Sequence, residues 1–159
     1  MNPPKATTRT EGRDLILNCL ILAPPEKVFR AWTDPALLTQ WFTPAPWTTA
    51  SAQMDVRPGG STEVIMRSPD GQDFPNRGVY LEVVENRRLV FTNAYTQAWE
   101  PSDKPFMTVI LTFEDAGNGR TNYTALVRHW TIADREAHEQ MGFHTGWPLT
   151  TEQLAALVE

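Results

Sequence analysis

Cysteine is almost absent. The 159-residue chain has one, Cys19, so no intramolecular disulfide can form and burial alone must hold the fold. A chain of this length can bury roughly 70 % of its unfolded surface, which needs no covalent or metal staple. Long apolar runs are missing too. No stretch approaches the ~20 apolar residues of a membrane span, and residues 1–13 have no apolar segment behind a basic start, the mark of a secretory signal. A cytoplasmic location without membrane insertion is therefore expected. Positive charge is short: 14 Lys plus Arg stand against 19 Asp plus Glu, a net charge of −5, the wrong sign for binding phosphate backbones. Nucleic acid is not an expected partner. No Gly-x-Ser-x-Gly elbow occurs, and Gly59-Gly60 follow Arg57-Pro58 in a hairpin position with no helix behind them to receive a phosphate.

What the chain does have is aromatic and soft apolar bulk: six Trp, seven Phe and five Met. Large planar side chains line small-molecule cavities and also fill ordinary cores, so spacing must separate the two. Residues 1–12 are polar and read as a disordered or extended tail, and residues 13–159 as a single domain. An apolar run at 15–22, containing Cys19, predicts a first strand, ended by Ala23-Pro24-Pro25. Pro25 can open a helix whose face carries Val28, Phe29, Ala31 and Trp32. Asp34-Pro35 then starts a second short helix, with Leu37, Leu38, Trp41 and Phe42 as its stripe.

From there six β-rich runs, at 49–56, 61–67, 78–84, 89–96, 107–114 and 121–130, are separated by short turn sequences such as Arg57-Pro58-Gly59-Gly60 and Asp115-Ala116-Gly117-Asn118-Gly119. Such short links favour antiparallel neighbours and a meander. After Trp130 the period changes: Thr131 to Asp134 resemble a capping box, and the remainder predicts one long helix. Pro148 should kink or break it. The expected fold is α+β, a curved antiparallel sheet wrapped around a long C-terminal helix.

The segments Ala23 to Pro35, Gln40-Trp41-Phe42, Asp55 to Gly60, Asp70-Gly71, Arg88 to Thr92 and Gly146-Trp147 together resemble the homologues of the activator of the ninety-kilodalton heat-shock chaperone's ATPase. That family lies in the SRPBCC superfamily, beside START lipid-transfer domains, pollen-allergen-like proteins and polyketide cyclases. The resemblance implies the helix-grip fold, with a strand and two short helices ahead of the remaining sheet. It also implies a cavity for a small hydrophobic ligand. Interaction with the chaperone is doubtful, because the eukaryotic co-chaperone engages it through a separate N-terminal domain and only the tail precedes the fold here.

Strand alternation sets the expected cavity wall. Met54, Val56, Val64, Met66, Val79, Leu81, Phe91, Asn93, Tyr95, Met107, Val109, Leu111, Val127 and His129 would face the long helix. Of these, Met66, Phe91, Asn93, Tyr95, Met107 and His129 are taken as ligand-binding, joined by Trp41 and Trp47 at the mouth and by His138 and Met141 on the helix. No catalytic residue, metal ligand or cofactor is assigned. His138 and His144 lie six apart, about 240° around a helix, and so do not share a face as an i, i+4 ligand pair would. Two rival functions stay open: a cyclase- or hydrolase-type enzyme with His129 or His138 as general base and Tyr95 or Asn93 as orienting donor, and a co-chaperone-like interaction module. A homodimer also stays open.

Overall fold

The structure is a computed structural model that describes residues 6–159. Eight strands form one antiparallel sheet: β1 (Thr7–Glu11), β2 (Asp14–Ile21), β10 (Arg120–His129), β9 (Met107–Gly117), β6 (Arg88–Thr92), β5 (Asp73–Val84), β4 (Ser61–Arg67) and β3 (Thr48–Met54), in that spatial order. A small hairpin, β7 (Tyr95–Gln97) with β8 (Glu100–Pro101), stands apart. Within the expected tail, Thr7–Glu11 thus pairs with β2 as an edge strand, so the run at 15–22 is the second strand.

Two short helices follow β2, as the prolines dictate. Helix α1 (Pro25–Thr33) buries Val28, Phe29, Ala31 and Trp32. Asp34 caps α2 (Pro35–Leu38), its Oδ1 accepting from the Ala36 amide at 3.0 Å. α2 is one turn long, so Trp41 and Phe42 sit beyond it. The stripe of α1 anchors on the sheet through aromatic contacts: Phe29 meets Phe113 edge-on at 5.5 Å, and the Trp32 indole N–H donates to the Tyr123 hydroxyl at 3.0 Å. Tyr123 is fully buried, so this bond satisfies two polar groups that water cannot reach.

The C-terminal helix is two helices, α3 (Ile132–Gln140) and α4 (Phe143–Val158). The Thr131 hydroxyl caps α3 by accepting from the Asp134 amide at 3.0 Å. The break falls at Met141-Gly142 rather than at Pro148, because Gly142 adopts φ +101°, a left-handed conformation that only glycine takes readily. Pro148 is carried inside α4. Helix α4 packs on α1, β2 and β1, with Phe143, Thr151 and Leu154 buried. Leu15, Leu17, Cys19 and Ile21 alternate into the same core. Cys19 is buried there, and burial pushes its thiol up to about 11, with Glu159 and Glu152 adding to the rise.

One register shift bears on the cavity wall. β5 begins at Asp73, earlier than the expected 78, and a bulge separates Tyr80 from Glu82. Ahead of the bulge the even-numbered residues face inward, so Tyr80 takes the place expected of Val79 and Leu81. Leu81 is half exposed.

Candidate ligand-binding site

Between the α1–α2 segment and the concave face of β3, β4, β5, β6 and β9 lies a cavity of about 40 Å³, counted as the space open to a water molecule's centre. Roughly 10–15 Å³ on this measure holds one water, so this space holds only a few. Its roof is Trp32, Leu38 and Phe42; its walls include Met54, Val64, Tyr80, Phe91, Met107 and Val109. Met54 and Met107 are unbranched and flexible, and such walls enlarge at low cost. Apart from Arg77 and the Tyr80 hydroxyl, the polar lining is sparse: Thr62, Asn76, Thr92 and Asn93. Burial holds the Tyr80 phenol above its ordinary value, partly opposed by a hydrogen bond from Thr62, so no ionised oxygen arises there near neutral pH.

Three of the residues taken as ligand-binding from sequence, Phe91, Asn93 and Met107, line this cavity, together with Met54, Val64 and Val109 of the expected wall. Trp41 stands behind the roof, edge-on to Trp32 at 4.8 Å with its indole N–H donating to the Ala31 carbonyl at 3.0 Å. Met66 lies opposite Phe74 in the β4–β5 register, and the Phe74 ring meets Trp47 in a tilted contact at 5.4 Å. These three extend the concave face beyond Val64 and Asn76, which are paired two residues back. Tyr95 is exposed on the β7–β8 hairpin. Met141 is 74 % exposed at the end of α3 and is no part of the wall, because the turn at Gly142 redirects the chain there. Trp32, Phe42, Thr62, Asn76 and Tyr80 were missed by sequence reasoning. Trp32 reads as core because it shares the α1 stripe, whereas Thr62 shares the alternation of Val64 and was legible.

His129 and His138 meet under α3. Nδ1 of His129 lies 2.9 Å from the Arg13 carbonyl oxygen, so it carries the proton; Nε2 then accepts from Nδ1 of His138, also at 2.9 Å. Phe106 packs edge-on against both rings at 5.4 and 5.0 Å, and Phe143 against His138 at 5.2 Å. Burial, reinforced by His129, pushes His138 down to about 4. His138 is therefore neutral at physiological pH, and neither ring lines the cavity. His144 stands apart from them, with Nε2 2.7 Å from Glu139 Oε2 and Nδ1 2.7 Å from the Thr8 hydroxyl. Among the described residues no group of three or more His, Cys, Asp or Glu could hold a metal ion, and no helix is long and apolar enough to cross a membrane.

The roof is tied to α4 by one side chain. Gln153 Nε2 donates to the Trp41 and Thr43 carbonyls, each at 2.8 Å, and its Oε1 accepts from the Ala45 amide at 3.1 Å.

An apolar cavity under two short helices, on a sheet closed by a C-terminal helix, is the helix-grip arrangement. The family model described as activator of Hsp90 ATPase homolog 1-like protein matches residues 22–159. The chain belongs to this family. A solved structure from Nitrosomonas europaea is 38 % identical, covering 94 % of this chain and 96 % of that one at a TM-score of 0.88. One from Chromobacterium violaceum is 26 % identical over 92 % and 97 %, with a TM-score of 0.73. CalU16 from Micromonospora echinospora, 22 % identical over 97 % and 83 % with a TM-score of 0.61, is alike in fold alone. No curated protein matches the chain.

Proposed function

We propose that this family member binds a small apolar or amphipathic molecule in the cavity beneath α1 and α2. The observation that carries the reading is the lining itself: aromatic and thioether walls around a few polar groups, the usual make-up of a small-molecule site. The histidine pair ranks lower as a catalytic base, because its rings are hydrogen-bonded to each other and lie outside the lining.

Titration with an apolar fluorescent probe tests this. Val64 is buried on the cavity wall, so Val64→Phe should weaken the probe by about tenfold or more while costing the ~1–3 kcal/mol typical of overpacking. Met141→Trp, on an exposed site, should leave affinity unchanged. Equal binding by the Val64→Phe variant and the parent would show that the probe sits elsewhere.

A further inference from the structure

The charges around the cavity face away from it. Arg77 is the one charged residue of the lining, but its neighbours Asn76 and Gly78 both line the cavity, so alternation turns the Arg77 side chain to the other face of the sheet. Glu63 is likewise flanked by the lining residues Thr62 and Val64, and the Arg77 guanidinium is paired with the Glu63 carboxylate on that far face. The remaining titratable lining group, Tyr80, stays protonated. An ionised ligand would lose its water and gain no counter-charge, a prohibitive exchange in an apolar site.

Asn93 supplies direction. Its Oδ1 accepts from the Phe106 and Met107 amides, both at 2.9 Å. Two converging N–H donors fix that atom as the oxygen, which leaves Nδ2 as a donor. Among the described residues Nδ2 has no hydrogen-bond partner, and Asn93 lines the cavity. Gly78 leaves bare backbone on the cavity floor between Asn76 and Tyr80, while the rings of Trp32, Phe42, Tyr80 and Phe91 surround it. Such rings favour a flat partner in offset or edge-on contact.

We propose that the ligand is an uncharged, planar molecule that presents an acceptor oxygen to Asn93, chemically of the small aryl-ketone class. The proposal rests on the cavity being a ligand site. Three probes of nearly one size separate its parts: acetophenone, ethylbenzene, which lacks the acceptor, and benzoate, which carries a charge. Dissociation constants are read from the Trp32 indole resonance in nitrogen-edited spectra of the whole chain. Acetophenone should bind about fivefold tighter than ethylbenzene, the worth of one added hydrogen bond, and about tenfold or more tighter than benzoate. Asn93→Asp keeps an acceptor for both backbone amides but removes the donor, so acetophenone should fall to the level of ethylbenzene or below.

Benzoate binding as tightly as acetophenone would overturn the proposal, as would an acetophenone preference that survives Asn93→Asp in a folded variant. Should that variant fail to fold, the order of the three probes in the parent decides. Binding of all three without discrimination sinks this proposal alone. Binding of none sinks the cavity reading as well.

Discussion

Cys19, Tyr80, Tyr123 and His138 are ionisable side chains that burial keeps neutral. For His138 this has a measurable consequence. Its folded value lies near 4 against an ordinary 6.5, so below pH 6.5 the unfolded chain takes up a proton that the folded chain refuses. Stability is therefore unaffected by this group above pH 6.5 and falls as pH drops from 6.5 towards 4, by about 3 kcal/mol at most. Denaturant melts across that window should show the slope. In His138→Gln, whose amide can still donate to His129 Nε2, the slope should flatten; an unchanged slope would place the acid sensitivity in other groups. Both imidazoles were legible as pocket candidates, since His129 ends a strand and His138 follows in the next helix. Their distance from the cavity was not, because it depends on Phe106 from a different strand junction.

Elements ended where local chemistry is strongest. Asp34-Pro35 and Thr131 mark helix starts in sequence and in structure alike, since a cap acts within three residues. Two features escaped. The bulge after Tyr80 depends on how β5 pairs with β6, and register is a property of two strands rather than one. The break between α3 and α4 sits at Gly142, whereas Pro148 drew the expectation. A proline forfeits one backbone bond that the helix can survive, but a positive φ stops the helical path outright. Space around Gly142 is open, so Gly142→Ala should cost only the left-handed strain, about 1–2 kcal/mol in denaturant melts. A neutral result would mean that the junction relaxes to another turn.

Across the whole molecule, the sheet carries two loads side by side. Helix α4 covers the end formed by β1, β2 and α1, whereas the α1–α2 segment covers the cavity over β4, β5, β6 and β9. Gln153 joins the two halves with its three hydrogen bonds to residues 41, 43 and 45. Without it the carbonyls of two buried residues lose a partner, so Gln153→Ala should cost about 1–3 kcal/mol rather than unfold the protein. Hydrogen exchange should quicken in residues 39–47 while the amides of β9 and β10 keep their protection. Uniform loss of protection would show that the roof and the core open together.

The two helices after β2, the antiparallel run of strands and the C-terminal helical region rest on turns, caps and periodicity, which act over a few residues and can be read along one chain. An ordered series of motifs carried the family resemblance; the edge strand β1 and the β7–β8 hairpin were not read. Part of the cavity was legible too: Phe91, Asn93 and Met107 follow from alternation alone. Tertiary structure decided the rest. The phase switch at Tyr80 places that phenol in the wall, the turn at Gly142 takes Met141 out of it, and the Phe106 and Met107 amides fix which end of Asn93 remains free. Each depends on groups brought together from distant parts of the chain, and single-chain periodicity carries no information about which groups those are.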